Sequence, residues 1–143
     1  MTDDTPLNQI RSLDEQDKKA IVRKLADYWH MLQKHDRQLA ELESYRNDYL
    51  NYQHNAESAG KPGRLYDYRV FLSRLNEAIV EQRQRVYHYR ALYEEANQQW
   101  MKLHHRTEAI DNVLTRRRRS RDIRIDRIEQ SEQDEAATRK FLK

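Results

Sequence analysis

The chain of 143 residues contains 37% hydrophobic and 36% charged residues, with a mean hydropathy of −1.20, which is too polar for a compact globule with a thick core. The absence of cysteine excludes disulfides and thiolate metal sites, and no apolar run approaches the about 20 residues of a membrane span. Nine tyrosines and two tryptophans provide apolar surface to bury, which favours long helices over disorder. The N-terminus also lacks the features of a secretory signal, so we expect a cytoplasmic protein.

The first predicted helix covers residues 6–57. Mostly apolar residues recur there in alternating steps of three and four, which places them on one helix face; we call these the core positions. They are Ile21, Leu25, Tyr28, Leu32, His35, Leu39, Leu42, Arg46 and Tyr49. Upstream, the apolar residues Leu7, Ile10 and Leu13 follow in a drifting phase.

Both ends of this helix carry residues with strong local preferences. Thr5 precedes Pro6 and is suited to cap the helix start, while "SLDE" from Ser12 is an alternative capping box. At the other end, "SAGKPG" holds both glycines of the chain and one of its two prolines. Because these residues do not continue a helix, we predict a single turn at residues 58–63.

The second predicted helix covers residues 64–141, and its 3–4 repeat continues without a slip for about seven heptads. Its core positions are Leu65, Tyr68, Leu72, Leu75, Ile79, Gln82, Val86, Tyr89, Tyr93, Ala96, Trp100, Leu103, Thr107, Ile110 and Leu114. Only Gln82 and Thr107 in this set are neither apolar nor aromatic. A repeat of this length is typical of a coiled coil, in which one face packs against a partner helix.

A short turn between two such helices favours an antiparallel hairpin, in which the numbers of paired residues sum to about 120. Leu7 would then lie beside Val113 or Leu114, where the apolar repeat of the second helix stops. We therefore predict an all-α fold: an elongated two-helix antiparallel coiled-coil hairpin, forming a single domain over residues 1–143. From residue 115 onward the second helix would extend past the first as a basic C-terminal overhang.

The overhang begins with six arginines, here called the arginine run. They are Arg116, Arg117, Arg118, Arg119, Arg121 and Arg124, and residues 115–124 carry a local charge of +5. Such a run can bind nucleic acid through phosphates, meet an acidic protein surface, or remain a solvated helix face. Basic zipper proteins place their basic segment before a parallel zipper, so the order found here disfavours DNA binding.

Catalytic motifs are absent from the sequence. The six histidines form no HExxH pair, and no glycine-rich loop could hold a phosphate. We expect no catalytic residues, no metal site, no cofactor and no small-molecule substrate.

A second candidate site follows from heptad phase. Gln38 and Tyr45 flank the core positions of the first helix, and Phe71 and Ala78 flank those of the second. In an antiparallel pair these g positions face each other, so the four side chains share one side of the hairpin. The pairing also places Tyr49 opposite Phe71. Such aromatics can widen the core, but two helices provide no third layer to cover them, which favours a partner-binding surface.

The sequence resembles the FliJ family, small coiled-coil proteins of flagellar type III export that are related to injectisome stalk proteins. The likeness covers nearly the whole chain. It rests on the break near residue 60, on "LAELESYRNDYL" before it and "DYRVFLSRLNEAI" after it, and on "RIEQSEQDEAA" near the end.

The resemblance implies a stalk-like coupler between a hexameric export ATPase and the membrane export gate, which also handles export chaperones. It implies export-gate binding by Gln38, Leu42, Tyr45, Tyr49, Phe71, Leu75, Ala78 and Gln82, although some family members have histidine in place of Gln82. The terminal end, with its arginine run, would enter the ATPase ring, at the cytoplasmic face of the inner membrane. Two alternatives stay open: a basic adaptor for nucleic acid or acidic surfaces, and a structural coiled coil that dimerises through its aromatic residues.

Overall fold

The computed structural model describes residues 3–58 and 65–142, which form two long helices. Helix α1 runs over Thr5–Ser58 and helix α2 over Leu65–Phe141, with 54 and 77 residues. The predicted turn at 58–63 lies outside the described residues, apart from Ser58 at the end of α1. The described chain contains no strand, which confirms the all-α prediction.

The start of α1 is capped by Asp3 and not by Thr5. The Asp3 carboxylate accepts hydrogen bonds from the backbone N–H of Thr5 at 2.9 Å and from its hydroxyl at 2.6 Å. These two bonds stabilise the charged carboxylate and lower the pKa of Asp3. Thr5 is already helical, so its hydroxyl serves as a donor to the cap and the predicted capping role was wrong.

The two helices pack in antiparallel register, as predicted. His35 contacts Gln82, Tyr49 contacts Tyr68, and elsewhere Asp14 contacts Arg106, so paired residue numbers sum to about 120. Every core position predicted for α2 is buried or half-buried. The chain divides into two parts, a central part over Ala20–Trp100 and a terminal part that joins the residues up to Lys19 with those from Met101 onward.

The central part has an apolar core with a few polar residues in it. Ile79 is its most buried side chain at 1% exposure, and all core positions predicted for α1 are at least half-buried. Its buried side chains are Ile21, Leu32, Tyr68, Leu75, Ile79, Gln82, Val86 and Ala96. His35 fits among them because its ring stacks on Tyr89 with centroids 5.1 Å apart.

In the terminal part, α1 keeps the same 3–4 repeat but has charged residues at three of its positions. Continuing the repeat back from Ile21 leads to Lys18, Asp14 and Arg11, which are all buried or half-buried. The apolar Ile10 and Leu13, expected to belong to the core, are 41% and 59% exposed. The apparent drift in phase was therefore wrong: the phase is constant, and ion pairs take the place of apolar contacts.

The C-terminal overhang is helical and solvent-exposed. Arg117 is the last half-buried side chain of α2, and every side chain over residues 118–142 is exposed. The predicted overhang is thus present in the structure.

Candidate partner-binding surfaces

An aromatic cluster joins the two helices in the central part. The ring of Tyr49 lies between two rings of α2: it stacks on Tyr68 and tilts against Phe71, with centroids 4.5 Å away in both cases. Tyr45 meets Phe71 edge-on at 6.1 Å. The Tyr68 hydroxyl donates a hydrogen bond to the Tyr49 carbonyl at 3.2 Å, which fixes the buried end of the cluster. The predicted pairing of Tyr49 with Phe71 is therefore found.

The rings of this cluster differ in exposure, from the buried Tyr68 at its base to the exposed Tyr45 at its outer edge. Tyr68 is 7% exposed, whereas Phe71 and Tyr45 are 37% and 54% exposed. Aromatic rings that are packed on one side and exposed on the other are held rigidly. They can bury large apolar areas against a partner at little entropic cost. Tyr68 was predicted only as a core position. Its role as the buried base of the cluster depends on ring geometry that the sequence does not provide.

Polar residues adjoin the cluster further along the two helices. The buried Gln82 amide lies 3.2 Å from the Gln38 side-chain oxygen and donates to the His35 carbonyl at 2.9 Å. Arg85 donates to the Gln82 oxygen at 3.1 Å. Because its polar atoms are satisfied inside the protein, Gln82 orients the exposed Gln38 side chain and has little surface of its own to offer a partner.

The predicted export-gate residues thus differ in accessibility. Gln38, Tyr45 and Phe71 are exposed, and Leu42, Tyr49 and Ala78 are half-buried. Leu75 and Gln82 are buried, at 7% and 3% exposure. We call the six accessible residues, Gln38, Leu42, Tyr45, Tyr49, Phe71 and Ala78, the aromatic patch. Leu75 and Gln82 can support this patch but cannot form its contact surface.

The arginine run is partly neutralised by the start of the chain. Arg117 and Arg121 donate hydrogen bonds to the two oxygens of Asp4 at 2.8 and 2.9 Å. The Asp4 side chain is only 14% exposed, so the two guanidinium groups enclose it. The other members of the run, Arg116, Arg118, Arg119 and Arg124, are exposed. In the sequence the six arginines are equivalent, whereas in the structure Arg117 and Arg121 bind Asp4 and the other four do not.

An ion pair between a buried carboxylate and an exposed guanidinium lies in the same terminal part. Asp14 is 1% exposed and accepts two hydrogen bonds from Arg106, at 2.7 and 2.5 Å. These bonds lower the pKa of the Asp14 carboxyl, against the opposing effect of burial, and the charge of Lys18 adds to the lowering. The same pairing raises the pKa of Arg106. This pair was not predicted, because upstream of Ile21 the apolar residues Leu7, Ile10 and Leu13 were taken to mark the core face, and they do not include position 14.

A second ion pair in the terminal part has a more accessible carboxylate. Arg11 contacts Asp111 at 2.5 Å, and both side chains are 44% exposed. The contact raises the pKa of the Arg11 guanidinium. Lys18 lies 3.2 Å from the Nδ1 atom of His104, whose other ring nitrogen contacts Glu108 at 3.1 Å. Charged and polar groups therefore contribute to the helix contact in the terminal part, beside apolar residues such as the buried Ile110.

Other kinds of site find no support in the described residues. Residues 3–58 and 65–142 contain no group of three or more side chains that could hold a metal ion. Neither described helix has a stretch long and apolar enough to cross a membrane.

The fold defines a class of protein: an antiparallel two-helix coiled coil, which here carries an exposed aromatic patch and an arginine run. The chain belongs to the FliJ family, since the family model described as Flagellar FliJ protein matches residues 3–143. It is also similar to the Flagellar FliJ protein of Escherichia coli (strain K12), with 25% identity over 144 residues that cover 100% of this chain and 98% of the relative. No solved structure matches the chain at a significant level. The protein is thus a component related to flagellar export.

Proposed function

We propose that this protein couples the hexameric flagellar export ATPase to the membrane export gate. The aromatic patch binds the gate, and the arginine run binds acidic surface of the ATPase ring. The protein acts at the cytoplasmic face of the inner membrane, where it also escorts export chaperones. It has no catalytic role, and ATP hydrolysis takes place in the ring.

The observation that carries the proposal is the exposed pair of rings, Tyr45 and Phe71. They come from different helices, meet edge-on, and rest on the half-buried Tyr49 and the buried Tyr68. A two-helix coiled coil has no further layer to cover such rings, so a partner protein is the best explanation of their exposure. Aromatic side chains held rigidly in this way are the residues that most often dominate binding energy at interfaces.

The arginine run supports the second contact. Arg116, Arg118, Arg119 and Arg124 are exposed and present a concentrated positive charge on one helix. Arg117 and Arg121 bind the carboxylate of Asp4, which supports the choice of an acidic partner for this surface. Interaction with an acidic ring surface would be steered by charge and weakened by salt.

The experiment that tests the gate contact compares Tyr45→Ala and Phe71→Ala with Tyr87→Ala. Tyr87 is a matched control because it is 75% exposed and lies outside the aromatic patch. Loss of a hot-spot aromatic costs about 2 kcal/mol, so each patch variant should bind the gate protein roughly thirtyfold more weakly. Calorimetric titration of the gate's cytoplasmic domain measures this, and swimming motility should fall in parallel.

A core control separates binding from stability. Leu32 is 9% exposed, so Leu32→Ala should lower the melting temperature before it affects gate binding. The patch variants should keep most of their thermal stability. If they instead melt early and bind the gate normally once folded, the rings belong to the core and the gate assignment is wrong.

A basic adaptor for nucleic acid is the alternative function. It has less support because the basic segment follows the hairpin, the reverse of the order in basic zipper proteins. If this alternative is right, the protein should bind duplex nucleic acid at near-physiological salt, with a steep salt dependence. Gel shifts at several salt concentrations would detect this binding. Replacement of Arg116, Arg118 and Arg119 by glutamine should weaken ATPase binding if the coupler proposal is right.

A further inference from the structure

The exposed overhang of α2 contains a stripe in which only the two arginines belong to a proposed contact. Positions spaced by alternating steps of three and four carry two arginines, two isoleucines and two glutamates in that order. They are Arg118, Arg121, Ile125, Ile128, Glu132 and Glu135, here called the bipolar stripe. Both isoleucines are 52% exposed, which leaves an apolar centre open between a basic and an acidic end.

The bipolar stripe is complementary to itself when reversed. In an antiparallel pair of two copies, Ile125 of one chain would lie opposite Ile128 of the other, because these positions pack together in a coiled coil. The same register places Arg118 opposite Glu135 of the second copy and Arg121 opposite Glu132. The two-fold axis repeats each contact, so the dimer would have four isoleucines at its centre and four ion pairs flanking them.

The wider charge distribution favours the same arrangement. Residues 115–124 carry a net charge of +5, whereas residues 126–135 contain five acidic residues and one arginine, a net charge of −4. Antiparallel overlap brings each basic segment beside an acidic one. Parallel overlap would instead place like charges together, at a cost in free energy.

The side chains required for this pairing are available. No ion pair holds Arg118, Glu132 or Glu135 within the described residues, and every side chain over residues 118–142 is exposed. Arg121 contacts Asp4 through one guanidinium nitrogen, and a guanidinium has further N–H donors for a second carboxylate. A groove beside the start of α1 is lined by Ile125 and Ile128, so α1 does not cover them.

We propose that the bipolar stripe is a homodimerisation site, occupied by the same stripe of a second copy in antiparallel orientation. The helix is already formed in each chain, so pairing costs little backbone ordering. The contact is short, and we expect a reversible dimer with a Kd on the order of 10 to 100 μM. Such a dimer would cover Arg118 and Arg121 and would compete with an acidic ATPase surface. That consequence rests on the proposed function, whereas the dimer itself does not.

Sedimentation equilibrium of the full chain tests the proposal without any partner protein. At about 0.1 M salt the average mass should rise from monomer toward dimer with concentration, and at about 1 M salt, where the screening length falls to about 3 Å, it should stay near the monomer. A monomer at all concentrations in low salt would overturn the proposal. So would a dimer that persists in high salt but is lost in Phe71→Ala, since the aromatic patch would then be the dimer contact.

Two pairs of matched variants locate the contact on the stripe. Arg118→Glu and Ile125→Asp should each weaken dimerisation at least tenfold. Arg119→Glu makes the same charge change one position away, and Ile123→Asp alters an isoleucine of equal exposure, 53%, off the stripe. These two controls should retain the dimer. Equal effects of stripe and control variants would mean that net charge, not the bipolar stripe, governs association.

A mixing experiment then tests pairing between chains. Arg118→Glu alone and Glu135→Arg alone each place like charges opposite each other and should be monomeric. An equimolar mixture places opposite charges at both sites and should form a heterodimer. Failure of the mixture to associate would contradict the assigned register.

Orientation is measured by spin labelling, since the chain has no cysteine and Ser120→Cys introduces a single thiol. In the antiparallel register the two labels are offset by about 13 residues, or about 20 Å along the helices. Parallel chains would bring the labels side by side, with no such offset, and would exclude the proposed arrangement.

Discussion

The central and terminal parts of the molecule use the same helix repeat but different chemistry. Over Ala20–Trp100, buried positions are mostly apolar, with Ile79 at 1% exposure, and aromatic rings extend the contact to the surface. In the terminal part the equivalent positions of α1 carry Arg11, Asp14 and Lys18, which pair with charged or polar groups on α2. One coiled-coil phase thus supports an apolar region and an ionic one.

This difference predicts how the stability of each part responds to salt and to acid. Apolar burial depends little on salt, whereas ion pairs between accessible groups are screened by salt and lost when carboxylates take up protons. We therefore expect the central part to be insensitive to salt and mild acid. The terminal part, which presents the arginine run, should respond to both.

The largest effect is expected in the central core. Ile79→Ala removes a fully buried side chain and should lower the free energy of unfolding by about 3 kcal/mol. Urea denaturation followed by circular dichroism measures the loss, which should be the same at low and high salt. A loss that shrinks strongly in high salt would mean that the central part is also held by charge.

A smaller and pH-dependent effect is expected for Asp14→Asn. The folded state lowers the pKa of Asp14 from its ordinary value of 3.8, chiefly through the hydrogen bonds from Arg106. The ionised pair therefore contributes its full stabilisation above that ordinary value, and the contribution disappears as the pH falls through the lowered folded pKa.

Melting temperatures of the parent and Asp14→Asn should accordingly differ at about pH 6 and converge in strong acid. Lys19→Gln is a suitable control, since it also removes one charge and Lys19 is exposed. A difference that stays constant or grows with acidification would contradict the assigned role of the Asp14 carboxylate.

The smallest effect is expected at the start of α1. Asp4→Asn weakens the contacts with Arg117 and Arg121, and we expect a local cost of no more than about 1 kcal/mol, because the guanidinium groups remain accessible to water. Amide hydrogen exchange over residues 8–11 should become a few times faster, while exchange in the central part should not change. Faster exchange throughout both helices would show that the two parts are not energetically distinct.

Much of the fold could be predicted from spacing alone. The unbroken 3–4 repeat of α2 identified every buried core position, and a pairing sum of about 120 placed Tyr49 against Phe71. These predictions succeed because burial along a helix follows its period, which the sequence displays directly.

The charged core of the terminal part could not be predicted in the same way. Apolar residues at Ile10 and Leu13 suggested a drift in phase, whereas the helix kept its phase and buried Asp14. Burial of a carboxylate is tolerated only because Arg106 is placed to pair with it, and such a partner is known only once the helices are paired. Extending the repeat back from Ile21 regardless of residue type would have identified the position.

The candidate sites were predictable in place but not in detail. Heptad phase located the aromatic patch, yet Leu75 and Gln82 are buried beneath it because their side chains point between the helices. Which arginines of the run are paired and which are not depends on Asp4, more than a hundred positions away in the chain. Contacts of this kind depend on the tertiary pairing of the two ends.

The most direct test of the account is a crossed binding measurement with two variants and two partners. Phe71→Ala and the combined replacement of Arg116, Arg118 and Arg119 by glutamine are each titrated against the export gate domain and the export ATPase. The account predicts that Phe71→Ala loses roughly thirtyfold in gate affinity and keeps ATPase binding, while the arginine variant does the reverse. If each variant weakens both contacts equally, the two surfaces do not serve separate partners and the coupler proposal is wrong.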